Sequence, residues 1–290
     1  MNLERFANFL AIDWSGAAGE RQRGIAVALC SAGREAPAPV RPGHVWSRTE
    51  VLSYLRDDLP PDTLVGMDLG ISLPFTDVGA FFPGWSESPT DARSLWAMVD
   101  RMADEDAHLA VNAFIDHPEI ARHFRRHGGR CGDRFGIGRG RMRRTEHAQE
   151  AMGCRPYSNF NLVGAAQVGK SSLSGMRVLH RLTGHIAVWP IDPLPPSGSV
   201  ICEIYTTIAA ITAGRSASRS KIRTGEDLDT ALAALDSAPF GHTGAIDDHS
   251  SDALLTAAWL RRAAPDPTLW HPKSLTPEIA ASEGWTFGAR

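Results

Sequence analysis

The order of strand-like and helix-like runs constrains this chain more than any motif in it. FLAIDWS (9–15) is an apolar run closed by Asp13, RGIAVALC (23–30) follows a Gly/Arg-rich turn, and GHVWS (43–47) is a weaker third run. Three strands joined by short loops predict an antiparallel meander. RTEVLSYLRDDL (48–59) then sets Val51, Leu52, Leu55 and Leu59 at helical spacing, and DTLVGMDLG (62–70) returns to a strand that ends in Asp68. Helical patterns over 89–103, 117–127 and 168–182 precede strands at 185–190 and 199–205, and helices at 224–238 and 247–264 close the pattern. A meander followed by βα units predicts a single α/β domain over 1–290 on a mixed sheet, with a mainly helical, arginine-rich insertion over 85–183.

Composition excludes several classes. Hydrophobic content of 43% and charged content of 22% are those of a globular protein with a sizeable core. A net charge of −3 gives no overall attraction to nucleic acid or to a membrane, so any such attraction must be local. No apolar run reaches membrane length, and the opening MNLERFANFLAIDW is charged at Glu4, Arg5 and Asp13, unlike a signal peptide. Four cysteines without a C-x-x-C pair argue against a disulfide scaffold, and a reducing, cytoplasmic location is the expectation.

The chemistry is expected from carboxylates. Asp13 and Asp68 end strands, Glu203 lies within the strand VICEIY, and Asp252 lies in the first turns of the last helix with Asp248 one turn before it. Singly, each has a plain explanation: a turn cap, a loop start, a favourable charge at a helix N-terminus. Carboxylates are depleted from strands because burying their charge is costly, so several in one sheet call for a shared cation. Mg²⁺ and Mn²⁺ prefer such oxygen donors, and a pair of these ions can clamp both oxygens of a phosphodiester displacement.

The segments FLAIDWSGA, LVGMDLGISLPF, VICEIY, DDHSSDALLTAAWLRR and EGWTFG, in this order and spacing, resemble the DUF429 proteins, which are predicted nucleases with an RNase H-like fold. The resemblance runs from Leu10 to Gly288. It implies a metal-dependent nuclease acting on DNA or RNA, with Asp13, Asp68, Glu203 and Asp252 as catalytic metal ligands; Asp248, on the same helix face as Asp252, is expected as a further metal ligand from its position. The chain departs from the family at Tyr205-Thr206, where a Tyr-Pro turn is common.

Nine arginines against the single acid Asp133 fall between residues 122 and 144, among many glycines. A flexible basic loop beside an acidic site suits a polyanion substrate, with Arg139, Arg141, Arg143 and Arg144 on phosphates and Phe135 stacked on a base. Ser15 and Lys170 complete the expected substrate contacts. His123, His127, Cys131 and Cys154 form a conceivable zinc set, but without the tight paired spacing of known knuckles. GAAQVGKS (164–171) matches the phosphate-binding G-x-x-x-x-G-K-[ST] pattern. The run before it, CRPYSNFNLVG, is too polar for the buried strand such a loop needs, so a Gly-rich helix entry is expected instead. A nucleotide-dependent phosphotransferase, of P-loop type or of actin-like type through AIDWSG and GMDLG, stays open, as does a non-catalytic binding protein on the same fold.

Overall fold

The computed structural model describes residues 5–163 and 168–290. Six strands form one mixed sheet: β1 (Asn8–Asp13), β2 (Ala26–Ser31), β3 (Ala38–Pro39), β4 (Thr63–Asp68), β5 (Ala187–Trp189) and β6 (Val200–Glu203). Their spatial order is β3-β2-β1-β4-β6-β5. β1, β2 and β3 pair antiparallel, while β1–β4, β4–β6 and β6–β5 pair parallel. The expected third strand at 43–47 is displaced to Ala38–Pro39, an edge position where proline's missing N–H is harmless. GHVWS fails as a strand because Ser47 is committed as N-cap of α1 (Arg48–Ser53), in a capping box with Glu50. A π-helical turn over Tyr54–Asp58 continues α1.

Between β4 and β5 the chain is mainly helical: α2 (Ala92–Met102), α3 (Asn112–Asp116), α4 (Pro118–Ala121), α5 (Arg144–Ala151) and α6 (Val168–Arg181). The helix expected over 117–127 stops at Ala121, after which Arg125 forms β-bridges with Cys131 and Asn161. β6 leads into α7 (Thr206–Thr212), α8 (Gly225–Ala234), α9 (Asp248–Ala263), α10 (Pro267–Trp270) and α11 (Pro277–Ser282), so α9 is not the last helix.

Strand periodicity divides the core into two layers. Leu10, Ile12, Val65 and Met67 face one way and pack with Leu95, Trp96, Leu173 and Met176 of α2 and α6. Phe9, Ala11 and Leu64 face the other way and pack with Leu254, Ala257, Ala258 and Trp259 of α9. The result is a helix–sheet–helix sandwich whose central strands are buried on both faces. Among the described residues, no helix is long and apolar enough to cross a membrane.

Candidate active site

Parallel pairing of β1 and β4 sets Asp13 directly opposite Asp68, so the two strands end in adjacent carboxylates. Both acids follow the side-chain parity of Ala11 and Leu64, which turns them toward α9. β6 pairs one residue out of step: Glu203 lies opposite Met67, so its parity turns it to the other face, toward α5. All three acids still line one cleft of about 590 Å³ at the carboxyl ends of the parallel strands, with Ser15, Tyr157, Lys221 and His249 on its walls. Ligand crevices of open α/β sheets form at this end of the strands.

The acids on the α9 face form an electrostatic cluster. Burial first, then the charges of Asp13 and Asp252, hold the Asp68 carboxyl well above the ordinary range, with Lys221 opposing. Asp68 is part-accessible along the cleft floor even though its carboxyl is set deep among protein atoms. Burial likewise pushes Asp252 up to about 6, against the pull of Lys221, whose Nζ lies 2.5 Å from its Oδ2. His249 Nδ1 lies 2.6 Å from Asp13 Oδ2, and that bond raises the imidazole's pKa. Lys221 and His249 are half-exposed and are the basic partners of Asp252 and Asp13.

Glu203 belongs to a different network. Its Oε2 accepts from the Ile71 N–H and from Arg143, both at 2.8 Å, and its Oε1 accepts from Arg143 at 2.6 Å and from the Thr286 hydroxyl. Arg143 also grips Glu146 through Nε and Nη2, and burial of the guanidinium is more than offset by these two acids. With its oxygens saturated by protein donors, Glu203 is a structural counter-charge, not the free ligand expected. Asp248 also departs from expectation: it faces Arg223 at 3.5 Å and does not line the cleft. Asp252 does not line the cleft either; it joins the site through Lys221 and through its field on Asp68 and Asp13. Among the described residues, no three His, Cys, Asp or Glu side chains stand close enough to hold a metal ion by themselves.

The basic loop is mostly spoken for. Arg141 binds Asp77 and the carbonyls of Pro74, Ala80 and Phe81, and Arg139 binds Glu150 and the Pro156 carbonyl. Arg122 pairs with Asp133 and Glu119, Arg126 with Asp116, and Arg134 with the Pro83 carbonyl. Arg143 is buried; Arg144 remains exposed, as do Arg125 and Arg130. The expected phosphate role therefore fails for Arg141 and Arg143, whose donors are used inside the protein. Phe135 is buried and offers no stacking face to a base. The zinc set does not assemble: His123 is packed against Phe82 and Phe160 and pushed down to about 4 by burial, while His127 and Cys131 are exposed and Cys154 lies in the α9-side core.

Of GAAQVGKS, residues 164–167 lie outside the described residues. The segment before them contributes no strand to the sheet; Asn161 makes a single bridge to Arg125 and accepts from the Gly169 N–H at 2.9 Å. The glycines of the two strand-end turns are packed against protein. A Cβ on Gly16 would lie 2.4 Å from Ser171 N, and one on Gly70 would lie 2.1 Å from Asn159 Nδ2. Ser15 lines the cleft, its carbonyl held by Arg48 Nε at 3.1 Å and Nη2 at 3.0 Å. Lys170 instead lines a second, smaller cavity.

Sequence reading missed Lys221 and His249. One signal was present for each: Lys221 is one of only three lysines, and His249 lies three residues before Asp252 on the same helix. Compared with known proteins, the chain matches no family model, no curated protein and no solved structure.

Proposed function

We propose that the protein is a divalent-metal-dependent phosphodiester hydrolase of RNase H-like type, acting on DNA or RNA. The observation that carries this reading is the in-register pair Asp13–Asp68 at the floor of an open cleft. The antiparallel β1–β3 half, the parallel β4 and the acid-bearing α9 support the RNase H-like assignment.

The donor chemistry fits Mg²⁺ or Mn²⁺ at Asp13 and Asp68. Both are oxygen donors, and burial holds the Asp68 and Asp252 carboxyls above their ordinary range, with the mutual charges of Asp13, Asp68 and Asp252 adding to it, so a cation among them is favoured. Glu203 does not fit, for the reasons of saturation above. When bound, such a cation supplies Lewis acidity, polarising a phosphoryl oxygen and easing deprotonation of water. The remaining work falls to the protein. Asp13 and Asp68 fix the position of the charge on two rigid strands. Asp252 orients Lys221 toward the cleft, where its ammonium opposes the charge of the phosphodiester. His249 commits Nδ1 to Asp13, which leaves Nε2 to protonate the departing oxygen.

The test is hydrolysis of labelled DNA and RNA oligonucleotides and of bis(p-nitrophenyl) phosphate in Mn²⁺. Wild type should cleave at least one, and Asp13→Asn and Asp68→Asn should each lose more than about a hundredfold while remaining folded, the loss expected for a central charge-stabilising group. No cleavage of any substrate in Mn²⁺, or full cleavage by Asp13→Asn, would overturn the reading.

A further inference from the structure

The second cavity, of about 210 Å³, shares Gly16 and Ala17 with the main cleft but has the opposite electrostatic character. The main cleft is lined by four acids, Asp13, Asp68, Glu146 and Glu203, against Arg143, Lys221 and His249; the second cavity is lined by no acid and by two cations, Arg48 and Lys170.

Arg48 is the unusual one. It is 2% exposed, and its guanidinium meets only backbone carbonyls: Ser15 at 3.1 and 3.0 Å, Ala17 at 2.6 Å and His108 at 3.0 Å. Among the described residues no carboxylate pairs with it, and burial alone pulls its pKa to about 10. A buried charge is ordinarily paired, because carbonyl dipoles satisfy its hydrogen bonds without neutralising it. Lys170 adds a second positive charge, and no ion pair engages it among the described residues. Its place on the wall is fixed, since Gly16 is pressed against the Lys170–Ser171 peptide so closely that a Cβ there would lie 2.8 Å from the Lys170 carbonyl carbon. The choice of lysine has weight in a chain with 27 arginines: two of its three lysines, Lys170 and Lys221, line the two cavities. A compact, flexible ammonium acts as a point charge on a phosphate where the rigid guanidinium fork demands a fixed geometry.

We infer that the cavity beside Lys170 is a phosphate subsite, in which Lys170 meets the phosphate and the buried Arg48, its donors held by carbonyls, contributes only its uncompensated charge, and that it takes a neighbouring phosphate of the same polynucleotide whose scissile phosphodiester lies over Asp13 and Asp68. The inference rests on the hydrolase reading. A backbone leaving the main cleft across Gly16–Ala17, which line both cavities, passes from an acidic, cation-loaded site to a basic one. A substrate with a single phosphate has nothing to place there.

The test compares Lys170→Gln with wild type on bis(p-nitrophenyl) phosphate and on an oligonucleotide of about a dozen nucleotides, with oligonucleotide binding by fluorescence anisotropy in metal-free buffer as a readout independent of turnover. Lys170→Gln should raise KM and Kd for the oligonucleotide roughly tenfold and reduce the log–log salt slope by about 0.7–0.9, the release expected for one phosphate contact. Kinetics on bis(p-nitrophenyl) phosphate should be unchanged, and Lys170→Arg should recover part of the loss. An unchanged oligonucleotide Kd and salt slope, or an equal loss on both substrates, would overturn the inference. So would ATP binding by calorimetry that depends on Lys170 while oligonucleotide binding does not, because the cavity would then serve a nucleotide's own phosphates. Failure of the hydrolase reading would appear separately, as wild type that binds the oligonucleotide and hydrolyses nothing.

Discussion

Arg143→Met asks whether the basic loop holds substrate or holds the protein together. Arg143 is 1% exposed and is shared by two buried acids, with four contacts of 2.6–2.9 Å to Glu146 and Glu203 and a fifth, at 3.0 Å, to the Glu283 carbonyl. Methionine fills much of the volume but leaves Glu146 and Glu203 facing one another without a cation. Removing one partner of a buried ion pair costs about 3–5 kcal/mol, and here one guanidinium serves two carboxylates, so the upper end applies. Against a total stability of about 5–15 kcal/mol, that is a third or more. The assay is urea unfolding followed by tryptophan fluorescence. The loss should shrink toward acid pH, where protons stand in for the missing guanidinium, and adding Glu146→Gln and Glu203→Gln to Arg143→Met should restore much of it. A loss below about 1 kcal/mol, within the range of an ordinary surface change, would refute the structural assignment of Glu203 and Arg143.

Three further outcomes follow from the geometry. Arg141→Gln should destabilise the fold, because it frees Asp77 and three carbonyls, yet leave the salt slope of oligonucleotide binding unchanged; a slope reduced by about one would return Arg141 to the substrate. Asp252 sits near 6, above its ordinary 3.8, so the stability tied to its protonated form is complete below about pH 4 and is lost as pH rises through about 6; metal-free Asp252→Asn should therefore exceed wild type by up to about 3 kcal/mol at pH 7, with the difference closing near pH 4, and equal melting at both pH values would contradict this. Gly16→Ala places a methyl against the Lys170–Ser171 backbone, which cannot rotate away, and should cost about 1–3 kcal/mol in thermal melts; a variant within about 0.5 kcal/mol of wild type would mean the turn and α6 do not touch.

Much of the scaffold was legible in the sequence because its signals are local. The apolar runs ending in Asp13 and Asp68 are strands, and their parallel pairing brings the two acids together. What escaped depends on contacts remote in sequence. Glu203 reads like a strand acid of the same kind, and only the one-residue offset between β4 and β6 turns it to the opposite face. The arginine run looks unopposed because its acids, Asp77, Asp116, Glu150 and Glu203 among them, lie outside it. Lys221 falls in a polar segment with no periodicity to mark it, His249 lies in the polar first turn of a helix whose pattern gives no reason to single it out, and α5 and α7 are too short for a helical repeat to stand out.

On the proposed reading, Asp13 and Asp68 together hold a divalent cation. Anomalous diffraction from crystals soaked in Mn²⁺ tests it directly. The expected result is a peak within coordination distance, about 2.0–2.3 Å, of carboxylate oxygens of both Asp13 and Asp68, and no peak at Glu203. A fully soaked crystal with no peak at the pair, or with manganese at Glu203 after displacement of Arg143, would contradict it.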